Sequence, residues 1–387
     1  MIAAEEIGAR LEALAAIGGD GRGVTRLAWT PELARAEEWF RAQAGSLGLS
    51  VERDPAGNLW ACPRAAPPWW GIGSHLDSVR EGGRYDGALG VVAGLEVARR
   101  TSLPVAVLAF ADEEGARFNT PTFGSRALSG RLDVPPLLAR TDADGVTLEA
   151  ALRGFGVDPA AVGDAPGWLG RLRGFLELHI DQSRAVARQE VPCGIVSRLA
   201  ARTRVRVGVR GRADHAGTTS MEERSDALAA AARLVVAATE LAVDGLVSTA
   251  TRIVAAPNAL STIPADVSVW LDARAPDPER VDAWLEALRE HAAALTDVQV
   301  ELRVESRSDG VEFDAALRER LRKASGGAPE LVCYAGHDAG MVAERRPAAM
   351  VLVRNRTGVS HAPEEEIDLV DAAAGVDLLA RALEAVA

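Results

Sequence analysis

Residues 104–111 (PVAVLAFA) constrain the fold more than any other segment. The run is short, rich in valine and nearly all apolar, and three acids, Asp112, Glu113 and Glu114, follow it at once. A run with no polar face predicts a strand buried on both sides. Such strands are covered by helices, and residues 86–100 (DGALGVVAGLEVARR) carry helical apolar spacing. Residues 71–74 read as the end of a second buried strand, 175–180 as a third and 348–353 as a fourth. Buried strands alternating with helices predict an α/β fold built on a mixed sheet.

The pattern changes near Arg202. Residues 204–210 (RVRVGVR) and 266–272 (DVSVWLD) alternate strictly, and 298–304 (VQVELRV) does so approximately. Alternation predicts strands with one wet face, hence an open antiparallel sheet. Helical stretches around 222–242 and 277–295 can cover its other face. After residue 311 helix, buried strand and a final helix return. A chain of 387 residues is too long for one comfortable core. The reading is therefore a larger α/β domain, 1–201 and 309–387, interrupted by a smaller α/β domain, 202–308.

Charge and cysteine usage exclude several function classes. The formal net charge is -12, and no stretch concentrates Lys or Arg without nearby carboxylates. Such a surface repels a phosphate backbone, so nucleic acid is not an expected partner. Cys62, Cys193 and Cys333 are far apart and match no zinc or redox spacing, which suits a reducing cytosol. Glu5, Glu6, Arg10 and Glu12 interrupt the apolar pattern at the N-terminus, unlike a signal peptide. No run approaches the roughly 18 apolar residues that span a bilayer. The expectation is a soluble, cytoplasmic protein with no membrane partner.

The chemistry-bearing side chains sit just after the buried strands. His75 and Asp77 follow one, Asp112 to Glu114 follow PVAVLAFA, His179 and Asp181 close FLELHI, and His361 comes shortly after AAMVLV. Ligands of open α/β sheets bind at the carboxyl ends of strands, so groups scattered in sequence converge there. Imidazoles and carboxylates suit Zn, Mn, Co or Ni, and a bridging carboxylate can hold two such ions. In the His-x-Asp pair, Asp77 is placed to accept the free N–H of His75 and orient the ring. Of the adjacent Glu113 and Glu114, one can ligate while the other takes a proton from water. Each piece alone also has an ordinary reading: a histidine satisfied at a strand end, a solvated acidic loop, or a turn and helix cap at Asp86-Gly87.

GSHLDS (73–78), GGRYDGALGVVAGLEV (82–97) and FADEEGARF (110–118) resemble the M20 metallopeptidase clan. HIDQS (179–183), ADHAGTTSMEERSDA (213–227), PNALSTIP (257–264), LDARAPD (271–277), AGHDA (335–339) and GVSHAPEE (358–365) continue the match in order. The set is most similar to the carbamoylase branch: allantoate amidohydrolases, N-carbamoyl-L-amino-acid hydrolases and β-ureidopropionases. The resemblance implies a metallohydrolase whose inserted domain serves as a lid and dimerisation domain. It also implies two divalent cations per subunit, Zn or Mn with Co or Ni as alternatives, on His75, Asp86, Glu114, His179 and His361, with Asp86 bridging. Glu113 becomes the general base, and His215 the group that polarises the scissile carbonyl, in the partner subunit of a homodimer. Arg274 corresponds to the arginine that grips a substrate carboxylate, for which a planar guanidinium fork is suited. Its other reading is a salt bridge to Asp272 or Asp277. Gln182, Ser261 and His337 match positions that line the pocket.

The departures from the family pattern fall outside the five ligands and the base, at several substrate-facing positions. HIEQG reads HIDQS, which changes Asp181 and Ser183. An expected asparagine is Ser261, a GQR is Ala201-Arg202-Thr203, a Pro-Ser is Arg354-Asn355, and a proline is Ser220. Retained ligands beside altered neighbours imply retained hydrolysis with an altered substrate. Arg202 and Arg354, if they face the pocket, would suit a more anionic one. The expected reaction is hydrolysis of a linear amide or ureido C–N bond in a small carboxylate-bearing molecule, an N-carbamoyl-L-amino acid or a ureido acid such as allantoate. The alternatives are N-acyl amino acid deacylation, dipeptide hydrolysis, ureidoglycolate hydrolysis, and a non-catalytic small-molecule-binding protein on the same fold.

Overall fold

A computed structural model describes residues 4–384 of the protein. Residues 1–3, the start of the expected first domain, lie outside the described residues. The chain divides into two compact units: 198–311 with 332–334 form one, and the remainder forms the other.

The first unit is built on a mixed sheet. Its order runs Ser50–Arg53, Leu59–Cys62, Val105–Phe110, Trp69–His75, Leu172–Ile180, Ala348–Val353, Cys193–Leu199. The middle four strands are mutually parallel, so His75, Phe110, Ile180 and Val353 all end at one edge of the sheet. Val105–Phe110, Trp69–His75 and Ala348–Val353 are buried at every position, as the unbroken apolar runs require. The helices Ala88–Arg100 and Leu369–Glu384 pack on the sheet, with Val91, Val92, Leu95, Val376 and Leu379 fully buried, and Ala4–Ala15 packs against these two helices with Ile7 and Leu11 buried. Helix Ala88–Arg100 starts at Gly87, whose φ is 65°. A Cβ there would lie 2.5 Å from the His75 ring, so only glycine lets this helix begin beside that histidine.

The second unit is a four-stranded antiparallel sheet in the order Gln299–Ser308, Ala201–Arg210, Asp266–Ala275, Val247–Ala256. Helices Ala227–Glu240 and Pro278–Ala293 cover one face. Asp226 and Asp277 cap their first turns by accepting backbone N–H bonds. Along Ala201–Arg210 burial alternates strictly: Ala201, Thr203, Val205, Val207 and Val209 face the core, and the arginines between them face out. Strand Val247–Ala256 was not anticipated from sequence. It is an edge strand with almost no buried position, so it lacks the periodicity that burial imposes. The mixed sheet and the antiparallel sheet together make the expected α/β fold class. Among the described residues no helix is long and apolar enough to cross a membrane.

Candidate metal centre

Four strand ends and the start of one helix deliver the polar groups of the first unit to a single carboxylate. Asp86 lies just before helix Ala88–Arg100, and its Oδ1 is 3.3 Å from His75 Nε2 and 3.1 Å from His179 Nε2. Its Oδ2 is 3.5 Å from His361 Nε2, which in turn is 3.5 Å from Glu114 Oε2. Two triads therefore share Asp86: His75, Asp86 and His179 on one side, and Asp86, Glu114 and His361 on the other. Within each triad one donor atom per residue lies within 4.8 Å of the others. Gln182 stands among them and donates from Nε2 to Asp86 Oδ2 at 2.8 Å.

The histidines carry their own evidence for a cation. His75 Nδ1 lies 3.0 Å from the Asp77 carbonyl oxygen, and His179 Nδ1 lies 2.9 Å from that of Ile180. A ring nitrogen facing a carbonyl must carry the proton, which leaves the Nε2 lone pair exposed. Both Nε2 atoms are buried without a hydrogen-bond partner and point toward Asp86. Imidazole lone pairs and carboxylates in this arrangement fit divalent Zn, Mn, Co or Ni. Burial by itself lowers the affinity of His179 for a proton, but Asp86 outweighs it and lifts the ring to about 9. A proton and a divalent cation thus compete for the same nitrogen.

The acids are crowded. Burial lifts the Glu113 carboxyl well above the usual carboxylate range; His75 opposes the lift, while Asp338, Glu114 and Asp77 add to it. Burial, and then Asp86, push Glu114 up to about 8. Burial would raise Asp86 as well, but His179 and His75 hold it well below the ordinary value. Carboxylates gathered away from water repel one another unless positive charge is supplied.

Asp77 differs from expectation. Its carboxylate is 3.6 Å from His75 Nδ1, beyond hydrogen-bond reach, and the ring is held instead by the Asp77 backbone carbonyl. The carboxylate accepts the backbone N–H of Glu113 at 3.2 Å and of Glu114 at 3.1 Å. It therefore fixes the loop that carries the two glutamates.

His337 is buried beside His179, with ring centroids 4.4 Å apart and its Nε2 unpartnered. Burial, then the charge of His179, keep this ring neutral, well below the ordinary histidine value. Three further buried acids were not read from the sequence. Glu177 accepts from Ser74 Oγ and from the Ala339 N–H. Asp338 accepts from Ser125 Oγ. Glu365 accepts the N–H groups of Tyr85 and Asp86, tying the Asp86 loop to a residue 279 positions away. Only Glu177 gave a signal, as a lone acid inside the apolar strand FLELHI.

The other sequence-selected residues lie in the second unit. His215 pairs with Thr262 in an isolated β-bridge, and the Ser261 carbonyl accepts the Ala216 N–H, so the His215 and Ser261 loops run together. His215 Nδ1 accepts the N–H of Gly217 at 3.0 Å and of Thr218 at 3.1 Å, which places the ring proton on Nε2. Arg274 donates from Nε to Asp272 at 2.8 Å and from Nη1 to the Tyr334 carbonyl at 2.6 Å.

The departures from the family pattern prove largely self-contained. Asp181 accepts from Ser183 N–H, Ser183 Oγ and Val186 N–H, so the paired changes satisfy one another in a turn. Ser220 donates to Glu223. Arg354 donates from Nε and Nη2 to the two oxygens of Asp371, at 2.7 and 3.0 Å, so one edge of its guanidinium is held by that carboxylate.

Known proteins share this architecture. An N-carbamoyl-L-amino-acid amidohydrolase of Paenarthrobacter aurescens is 33% identical over 402 residues, covering 99% of this chain and 98% of that one. An allantoate amidohydrolase of Bacillus subtilis is 31% identical over 368 residues, covering 89% and 88%. The crystal structure of an amidase of the hydantoinase/carbamoylase family from Burkholderia multivorans superposes with a TM-score of 0.87 at 30% identity, covering 99% of this chain and 97% of that one. The family model described as peptidase family M20/M25/M40 matches residues 71–385, and with these relatives it establishes that the chain belongs to that family.

Proposed function

We propose that this chain, a metal-dependent amidohydrolase by family, hydrolyses the ureido C–N bond of an N-carbamoyl-L-amino acid, releasing the amine, CO2 and ammonia. The observation that carries this reading is Asp86, whose two oxygens face two separate donor triads. His75, Asp86 and His179 would hold one divalent cation, and Asp86, Glu114 and His361 a second, Zn or Mn in each place. Bound there, the cations would supply Lewis acidity and lower the pKa of a water. The substrate class comes from relatives named for N-carbamoyl-L-amino acids.

The remaining chemistry belongs to side chains of this chain. Glu113, held by the Asp77 carboxylate through its backbone, takes a proton from the attacking water and returns it to the leaving nitrogen. His215 donates from Nε2 to the carbonyl oxygen as negative charge develops there. Arg274 keeps Nη2 for the substrate carboxylate, because Asp272 takes Nε and the Tyr334 carbonyl takes Nη1. Gln182, Ser261 and His337 shape the pocket. The chain acts in the cytoplasm as a homodimer joined through the second unit, where Val236, Val247, Ile253 and Val254 are exposed apolar side chains. In that dimer His215 of one subunit serves the site of the other.

The test is a panel of N-carbamoyl, N-acyl and dipeptide substrates offered to Mn- or Zn-loaded protein, with amine and ammonia followed together and Glu113→Gln as control. Amine and ammonia rising together, only from carbamoyl compounds and only with Glu113 intact, is the expected result. Amine without ammonia from acyl or peptide substrates would overturn it.

A further inference from the structure

The loop that carries Glu113 and Glu114 runs through costly backbone. Asp112, Asn119 and Thr122 have φ of 51°, 53° and 54°, the left-handed region that side chains other than glycine rarely adopt. Such conformations persist only where surrounding contacts over-determine them. The Asp77 carboxylate holds one stretch, at the N–H groups of Glu113 and Glu114. Inside the loop, Thr120 Oγ1 donates to Asp112 Oδ2 at 3.0 Å. Backbone bonds close the mouth. Gly124 N–H donates to the Ala111 carbonyl at 2.8 Å, Phe123 N–H to that of Asp112 at 3.0 Å, and Thr122 N–H to that of Glu113 at 2.7 Å.

A carboxamide from a distant part of the first unit sits on that mouth. Asn58, fully buried, accepts the Ala111 N–H on Oδ1 at 2.9 Å and donates from Nδ2 to the Gly124 carbonyl at 3.3 Å. It grips both residues of the pair that closes the loop, one by its acceptor and one by its donor. The carboxamide is itself aimed by Asp54, whose Oδ2 accepts from Nδ2 at 2.7 Å. Asp54 is buried too, and it also accepts the N–H groups of Ala56 and Asn58 and Trp60 Nε1. Space is as restricted as bonding: a Cβ on Gly124 would lie 1.9 Å from Asn58 Oδ1. The side-chain hydrogen bonds of Asn58 go to Ala111, Gly124 and Asp54, so its influence on Glu113 passes through the loop backbone.

We infer that Asn58 is a positioning residue for Glu113 and Glu114, holding both sides of the loop mouth so that one carboxylate meets the water and the other a cation. The inference rests on the reading of Glu113 as the base. A carboxamide suits this post because it offers an acceptor and two donors on one small planar group. A carboxylate in its place would lose both donated bonds and face Asp54 as a like charge. An alanine would leave the Ala111 N–H without that acceptor.

The experiment measures kcat and KM for an N-carbamoyl-L-amino acid at saturating Mn, and Mn affinity by calorimetric titration of the metal-free protein. The variants are Asn58→Ala, Asn58→Asp, Glu113→Gln and Asn58→Ala combined with Glu113→Gln. Trp60→Phe, which removes the indole bond to Asp54 and leaves Asn58 in place, controls for lost stability alone. Asn58→Ala is expected to lower kcat about tenfold or more, with KM within about twofold, and to weaken Mn binding by about 10–100-fold. Asn58→Asp keeps the Ala111 acceptor, so it falls between alanine and wild type and replaces the alanine variant if that one does not fold. Because Asn58 acts through Glu113, its removal in the Glu113→Gln background costs much less kcat than its removal alone. Costs that multiply in full, or a kcat loss equalled by Trp60→Phe, overturn the inference while leaving the base reading intact. If Glu113→Gln keeps full kcat, or no carbamoyl compound is hydrolysed, the Mn titration decides for Asn58. Binding weakened in the Asn58 variants and not in Trp60→Phe upholds its role, and unchanged binding refutes it.

Discussion

The two sheets of this protein store charge in opposite ways. In the first unit the parallel strands are buried except at Arg173, and ionisable groups appear near strand ends or as single buried acids such as Glu177. In the second unit charge lines a whole open face, as Arg202, Arg204, Arg206 and Arg210 between buried small or apolar residues. Among the buried acids Asp77, Glu177 and Glu365 accept backbone N–H groups, while the arginines of the open strand keep partly or largely exposed side chains. The difference teaches where precision comes from. Desolvated carboxylates must each be matched by donors or a cation, so their geometry is over-determined. Exposed arginines keep much of their hydration, so their geometry is less tightly determined.

The comparison breaks most completely if the buried acids need no cation. Removing divalent ions with a chelator is expected to abolish hydrolysis, and adding Mn or Zn to restore it. The check is activity alongside metal content by elemental analysis. Activity that survives with no metal detected would detach the Asp86 triads from the chemistry. Glu113→Gln comes next. It keeps the side chain's shape but removes the base, so kcat is expected to fall by about 10²–10⁴-fold, with metal content unchanged. A comparable loss of metal would instead make Glu113 a ligand.

Asp77 gives a finer test of how the buried set is held. Asp77→Ala removes the acceptor of two N–H groups, and a loss of about 10–100-fold in activity or metal affinity is expected for a group supporting a metal site. Asp77→Asn keeps one carbonyl oxygen able to accept and should fall between wild type and alanine. Had the carboxylate oriented His75 instead, the metal on the His75 side alone would weaken. Since it holds the loop of Glu113 and Glu114, kcat should fall as well as occupancy of the Glu114 side.

Part of this arrangement was legible in the sequence because strand burial and strand ends leave a pattern. The unbroken apolar runs located His75, Glu113, Glu114, His179 and His361 at one edge of a sheet, and family motifs added Asp86. What the pattern could not convey is how the groups are satisfied. The Glu365 carboxylate on the N–H of Asp86, the Ser125 hydroxyl on Asp338, and the grip of Arg354 on Asp371 are contacts of tertiary structure with no local signature. Asp77 was placed correctly beside His75, yet the sequence could not tell which of its oxygens the ring would meet. Strand Val247–Ala256 escaped for the converse reason, since a strand without a buried face has no burial period to read.

That strand supplies the smallest effect and the sharpest contrast within one sheet. Ile253 and Val269 are direct cross-strand partners, but Val269 is 2% exposed and Ile253 is 53% exposed. Val269→Ala removes buried apolar surface and is expected to cost stability of the order of 1.5–3 kcal/mol. Ile253→Thr, which keeps the β-branch, should change the stability of the single chain by less than about 0.5 kcal/mol. Denaturant unfolding of both variants at several protein concentrations measures the pair. If Ile253→Thr stays near zero at every concentration and the elution volume does not move, Ile253 faces water and the proposed dimer does not use this edge. If its cost grows with concentration while elution shifts toward monomer, a second subunit covers the strand, because partner binding adds stability by mass action. The exposed edge would then be the counterpart of the buried one, apolar surface that a single chain leaves unmatched and the assembly completes.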